Sequence, residues 1–139
     1  MADPRDIEIV TPYARSLSIV LDRWEGDTPV LRVEFSDSVQ GRPGALHGGA
    51  ISGLLETAGY GALRAELALS GRVAQMKPIN ITVQFLRSGK TRPSFARARI
   101  VKLGRRTANI SVEAWQDDEA KPIASAVMNI LMVDAEAAA

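Results

Sequence analysis

The chain has 139 residues, 46% of them hydrophobic, and a formal net charge of +1. This size and composition fit one globular domain with its own core, so we expect a single domain over residues 1–139. The sequence has no cysteine and one histidine, His47, which excludes disulfides, thiolate nucleophiles and Cys/His zinc sites. We therefore expect no metal and no cofactor.

A β-hairpin is predicted after an N-terminal lead-in over residues 1–15. Two runs alternate apolar and polar residues: Leu17, Ile19 and Leu21, then Leu31, Val33 and Phe35. The turn-forming sequence EGDTP separates them, as expected between two antiparallel strands.

A long helix is predicted over residues 49–69, ending at Ser70-Gly71. Its apolar residues cover more than one stripe, which indicates that most of the helix is buried. Glycine inside a helix costs up to about 1 kcal/mol relative to alanine. Gly53, Gly59 and Gly61 therefore indicate places where the helix lies very close to its neighbours.

Four further strand patterns follow the helix: residues 79–85, 95–103, 108–114 and 123–133. We expect them to form an antiparallel meander. Two strands, one helix and four strands predict an α+β fold in which a curved antiparallel sheet wraps around one long central helix. The alanine-rich residues 134–139 are expected to fray.

Neither a membrane span nor a basic and apolar leader is visible, so we expect a cytoplasmic protein with no membrane partner. No acidic residue lies between Glu66 and Glu113, which makes this segment locally basic. Because few aromatic residues accompany the basic ones, we expect no nucleic-acid partner. A solvated face and a polyanionic ligand remain alternatives for the basic segment.

The start of the helix is the candidate reactive site. Gly48 and Gly49 offer backbone N–H groups at the positive end of a helix, where they suit a developing oxyanion. The alternative is a tight entry turn, with His47 as a helix cap or core residue. Glu56 is likewise either a functional acid or part of a polar stripe with Ser52, Tyr60 and Arg64.

The motif His47-Gly48-Gly49 with an acidic residue nine positions after the histidine resembles the hotdog-fold acyl-CoA thioesterases, in the branch of the phenylacetate-pathway and 4-hydroxybenzoyl-CoA enzymes. The resemblance extends to TPYARSLSIVLDRW, NITVQFLRSG and GRRTANISVEAW. It implies a hotdog fold and hydrolysis of an acyl-CoA to a free acid and coenzyme A. The backbone N–H of Gly48 would polarise the thioester carbonyl, supported by Gly49. Glu56 would act as nucleophile or as base for water.

Gly48 and Glu56 are eight residues apart, or roughly 12 Å along a helix, so they cannot flank one carbonyl carbon. The acid is therefore expected to come from a second copy of the chain, in a homodimer or homotetramer whose active site lies at the interface. His47 would orient the loop. Alternatives are a non-catalytic acyl-CoA- or lipid-binding protein of the same fold, and a hydratase or dehydratase.

Several residues are expected to bind substrate. Basic side chains would meet the phosphates of coenzyme A: Arg87, Lys90, Arg105 and Arg106. Tyr60 would line the acyl tunnel. The family pattern has an amide residue six positions before the histidine, where this chain has Gly41. A one-residue bulge would present the neighbouring Gln40 to the substrate instead. On the strand after the helix it often has a hydroxyl residue where this chain has Pro78, which cannot donate a hydrogen bond.

Overall fold

The structure is a computed structural model that describes residues 7–134. The start of the predicted lead-in and all but Asp134 of the predicted frayed tail lie outside these residues. The elements in chain order are α1 (Pro12–Ser16), β1 (Ile19–Glu25), β2 (Thr28–Val33), a 3-10 turn (Asp37–Val39), α2 (Gly48–Leu69), β3 (Ala74–Phe85), β4 (Ser94–Leu103), β5 (Thr107–Trp115) and β6 (Ala124–Asp134).

The predicted hairpin is confirmed, and a two-residue turn joins its strands. Glu25 pairs with Thr28 across Gly26 and Asp27, and Gly26 takes a φ of +61°, which glycine adopts without steric cost. The short helix α1 was not predicted. Thr11 caps it by accepting a hydrogen bond from Ala14 N at 3.2 Å, and Pro12 lies in its first turn.

All six strands form one antiparallel sheet in the order β1-β2-β4-β5-β6-β3. The prediction of a four-strand meander is therefore wrong in one respect. Strands β4, β5 and β6 form the meander, whereas β3 crosses to the far edge and pairs with β6 from Ala74↔Asp134 to Phe85↔Ala124. A period of two residues specifies which faces a strand presents but says nothing about its neighbours.

Helix α2 begins one residue earlier than predicted and ends where predicted, at a C-cap on Ser70 followed by Gly71 with a φ of +65°. It lies against β2, β4 and β5, and 13 of its 22 residues are buried. No helix within residues 7–134 is long and apolar enough to cross a membrane.

The interior glycines of α2 have the packing role that the sequence indicated. A Cβ on Gly59 would overlap Met128 Sδ of β6, and one on Gly61 would come within 2.9 Å of Ile9 Cγ2. Real Cβ contacts this short are avoided, so the helix can approach the sheet and the N-terminal segment closely only with glycine at these positions.

Candidate active site

A closed loop of residues 40–46 immediately precedes His47 and the start of α2. Its two ends meet through a bridge between Gln40 and Leu46, and Gln40 Oε1 accepts a hydrogen bond from Gly44 N at 2.8 Å. Leu46 N in turn donates to Gly89 O at 3.1 Å, which ties the loop to the β3–β4 connection. The entrance of the helix is therefore held from two sides.

His47 is the N-cap of α2. Its Nδ1 accepts a hydrogen bond from Gly49 N at 2.8 Å, and its own N–H donates to Val39 O at 2.8 Å. A side chain on Gly49 would place a Cβ 3.0 Å from His47 Nδ1, so glycine makes this cap possible. The expectations that His47 orients the loop and that Gly49 supports the turn are both consistent with this geometry.

Gly48 is left with a free donor. Among the described residues nothing accepts a hydrogen bond from its N–H, whereas the N–H groups of Gly49 and Ala50 both bond to His47. Gly48 lines a cavity of about 330 Å³, whose wall includes Phe85 and Arg87. The free N–H at a helix N-terminus carries partial positive charge and suits an oxygen that gains negative charge.

Glu56 lies two turns further along α2, and its side chain is exposed in the single chain. It lines a second cavity, of about 230 Å³, together with Tyr13, Tyr60 and Arg64. Burial, and then the charge of Glu56, raises the pKa of Tyr60, so its hydroxyl stays protonated at neutral pH. Three of the four residues of the predicted polar stripe, all except Ser52, thus line one cavity.

The two cavities have no lining residue in common. Helix α2 runs unbroken from Gly48 to Leu69, so the roughly 12 Å rise between Gly48 and Glu56 holds. One protomer therefore presents the donor and the acid in separate places and does not bring them to one carbonyl.

The predicted phosphate-binding residues divide into two groups. Arg87 lines the cavity of Gly48, and Lys90 lines a neighbouring one that Arg87 shares. Arg105 and Arg106 lie in the β4–β5 turn, where their carbonyl oxygens accept from Arg72 and Met132. Within one protomer this turn is beside the opposite end of α2, away from Gly48.

Two departures from the family pattern have local reasons. A Cβ on Gly41 would lie 3.1 Å from His47 Cα, so a larger residue there would displace the cap. Since Gln40 Oε1 accepts the hydrogen bond from Gly44 N, the Gln40 Nε2 group can still donate to a ligand.

The second departure is Pro78. It is exposed on the edge strand β3, next to a bulge at Ile79, a position that tolerates proline.

Sequence analysis missed Tyr13 and Arg42, which line the cavities of Glu56 and Gly48. Tyr13 lies on α1, which was not predicted. Arg42 lies in the loop before α2, where no periodic pattern singles out a residue. Within residues 7–134 no group of three or more His, Asp or Glu side chains is arranged to hold a metal ion.

Comparison with known proteins identifies the family to which the chain belongs. The sequence model of the acyl-CoA thioesterase N-terminal domain matches residues 37–131, which include the loop, α2, β3, β4, β5 and most of β6. A search of curated proteins finds no significant match.

Solved structures share the architecture. A protein from Chromobacterium violaceum is 30% identical, with a TM-score of 0.70 over 86% of this chain and 82% of that one. A phenylacetic acid degradation-related protein from Ralstonia eutropha is 22% identical, with a TM-score of 0.75 over 92% and 95%. A thioesterase family protein from Silicibacter pomeroyi is 20% identical, with a TM-score of 0.76 over 90% and 91%. With the curved sheet around α2, these similarities confirm the hotdog fold.

Proposed function

Because this chain belongs to the family of the acyl-CoA thioesterase N-terminal domain, we propose that it hydrolyses acyl-CoA thioesters at a site shared by two protomers. The observation that carries the proposal is the arrangement of α2. It offers a free backbone donor at Gly48 and an acid at Glu56, in separate cavities of the same protomer.

In this mechanism the thioester carbonyl oxygen accepts a hydrogen bond from Gly48 N–H of one protomer. As the carbonyl carbon becomes tetrahedral, the oxygen gains negative charge, which the N–H and the helix dipole stabilise. Glu56 of the partner subunit takes the proton from an attacking water, or attacks the carbonyl carbon itself to form an anhydride that water then cleaves. The C–S bond breaks, and coenzyme A leaves as a thiolate that takes up a proton.

The edge strand β3 favours a dimer. It is twelve residues long, and among the described residues only β6 pairs with it. Its apolar side chains are unusually open to solvent in the single chain: Ile79 is 52% exposed and Phe85 57%. Long unpaired edges with apolar residues are normally covered, and a second β3 in antiparallel pairing would cover this one. Such a dimer, alone or doubled to a tetramer, places the two copies of α2 side by side.

Basic side chains near Gly48 favour one path along which bound coenzyme A would extend to the protein surface. Arg42 and Arg87 line the cavity of Gly48, and Lys90 lies in the adjoining cavity. Phosphate groups that reach the surface here would meet three positive charges. Arg105 and Arg106 could contact the same ligand only from another protomer. Gln40 Nε2 and the protonated Tyr60 hydroxyl are further donors for substrate.

The geometry of the site gives little support to a hydratase or dehydratase activity. A hydratase or dehydratase would use His47 beside an acid, yet His47 Nδ1 is engaged by Gly49 N at the helix entrance. A non-catalytic binding protein is distinguished by experiment, since it would bind acyl-CoA without releasing thiol. A cytoplasmic location remains a prediction.

The test is thiol release from a panel of acyl-CoAs with wild type, Glu56→Gln and Glu66→Gln. Glu66 is on the same helix ten residues further on, so its variant carries the same chemical change outside the cavity of Glu56. We expect Glu56→Gln to lose about 100-fold or more in kcat/KM, and Glu66→Gln to keep the wild-type value. Equal activity of Glu56→Gln and wild type would refute the role of Glu56. Binding without thiol release by wild type would favour the binding protein.

A further inference from the structure

Arg64 is a half-buried cation between two cavities of the chain. It lines the cavity of Glu56, and on its other side it borders an apolar groove of about 420 Å³ that includes Leu67, Val73 and Met76. Its guanidinium carbon lies 5.9 Å from the centre of the Tyr60 ring. This places the charged group back along the helix from its own Cα, toward Glu56.

Within the part of the chain that the structure describes, Arg64 differs from the other partly buried arginines in forming no ion pair. Among residues 7–134 its guanidinium makes no ion pair and no hydrogen bond, whereas Arg72 pairs with Asp134 and Arg97 with Glu25. The nearby Glu8 is already paired with Arg15, at 2.7 Å. Burial lowers the pKa of Arg64 below its ordinary value, but a guanidinium remains charged at neutral pH.

A partly desolvated charge that no side chain of residues 7–134 pairs is costly unless a counter-charge is supplied, for example by a ligand. The position of this charge, in the same cavity as the proposed acid, points to the substrate. We propose that Arg64 binds a carboxylate at the far end of the acyl group, so that short dicarboxylic acyl-CoAs are preferred over neutral ones of the same length. This inference rests on the proposed thioesterase function.

The spacing along α2 sets the size of the acyl group. Tyr60 is four residues from Glu56, a rise of roughly 6 Å, and the guanidinium lies over its ring. An extended chain advances about 1.3 Å per bond, so an acyl group of roughly five carbons reaches from the thioester to the guanidinium. Its methylene groups would lie along the Tyr60 ring. A planar guanidinium can hold the terminal carboxylate through two parallel hydrogen bonds.

The experiment compares glutaryl-CoA with valeryl-CoA, which has the same number of acyl carbons and a methyl group in place of the carboxylate. Wild type, Arg64→Met and Arg99→Met are assayed with both. Methionine keeps the apolar stem and the helix propensity of arginine. Arg99 is an exposed arginine of β4 outside both cavities, so its variant controls for the loss of one positive charge.

We expect wild type and Arg99→Met to favour glutaryl-CoA, and Arg64→Met to lower the ratio of the two kcat/KM values by about 10- to 100-fold. Glutarate alone should raise the Tm of wild type more than that of Arg64→Met. A wild-type preference for valeryl-CoA, or an unchanged ratio in Arg64→Met, would overturn the inference.

Three further outcomes separate this inference from its alternatives. Thiol release from no acyl-CoA of the panel, with glutarate still stabilising wild type, would reject the proposed function and keep the carboxylate site. A dimer that dissociates in Arg64→Met would show that Arg64 pairs across the interface, and would overturn the inference. Weaker binding of coenzyme A alone by Arg64→Met would assign the charge to the phosphates instead.

Discussion

His47 and Gly49 are joined by a hydrogen bond of 2.8 Å from the Gly49 N–H to His47 Nδ1. Because Nδ1 accepts, the neutral imidazole carries its proton on Nε2. The bond satisfies one of the orphan N–H groups of the first helical turn and leaves that of Gly48 for a ligand. The cap thereby determines which amide of the first turn is available to a ligand.

The first prediction concerns the cap itself. Asparagine is a strong N-cap residue, so His47→Asn should keep the fold and most of the activity, whereas His47→Ala should lose about 1 kcal/mol of stability. Urea unfolding and thiol release measure the two effects. If His47→Asn were as inactive as Glu56→Gln, a proton-transfer role for His47 would replace the capping role.

The second prediction isolates the Gly48 N–H. Gly48 is the first residue of α2, where proline is well tolerated, and His47 already has the extended conformation that proline requires of its predecessor, with φ −68° and ψ 137°. Gly48→Pro therefore removes the donor with little cost to the helix. We expect kcat/KM to fall about 100- to 1000-fold.

Gly48→Ala is the matched control for that variant. It keeps the N–H but adds a Cβ at the same place, 3.3 Å from the exposed Phe85 ring, which can move aside. It should retain far more activity than Gly48→Pro at a similar Tm. Equal loss in both variants would mean that the added bulk, and not the missing donor, matters.

The third prediction tests the sharing of the site between protomers. Gly48→Pro and Glu56→Gln are each expected to be nearly inactive, but in the proposed dimer a mixed pair would have one intact site, with its donor from one chain and its acid from the other. Co-refolding equal amounts should restore about a quarter of the wild-type activity, since half the dimers are mixed and each has one working site. Mixtures that stay inactive would place donor and acid in the same chain.

The fourth prediction concerns pH and an ion-pair cluster on the outer face of the sheet. The hydrogen bond from Arg97 and, to a smaller extent, that from Arg23 hold the pKa of Glu25 below its ordinary value of 4.5. A lowered pKa contributes stability that is present above the unfolded-state value and is lost as the pH falls below it. Glu25 is about one third exposed, so we expect less than about 1 kcal/mol at pH 7.

Glu25→Gln should therefore be less stable than wild type at pH 7, with the difference shrinking as the pH falls below about 4.5. Asp27→Asn, in the adjacent turn and outside the ion pairs of the described residues, should show no such trend. Denaturant titrations at a series of pH values give the comparison. A difference that grows in acid would contradict the assigned sign.

Much of the fold follows from local patterns in the chain. Alternating apolar residues and turn-forming sequences were enough to predict all six strands, and β4, β5 and β6 to within one residue at each end, because periodicity and turn chemistry act over a few residues. The interior glycines predicted close packing, and Gly59 against Met128 confirms it. The short helix α1 escaped detection because it is a single capped turn with one buried residue.

For the site, residue types singled out Gly48 and Glu56 as candidates, and the resemblance to the hotdog-fold thioesterases implied their roles. Helix geometry then pointed to a second protomer, since it separates two positions eight residues apart. The order of the strands in the sheet, by contrast, could not be predicted from the sequence. That β3 crosses to the edge beside β6 depends on contacts between segments distant in sequence, which no local pattern encodes. That Arg64 forms no ion pair among the described residues was equally invisible in the sequence, because whether a charge has a partner depends on which acidic side chains the folded chain brings near it.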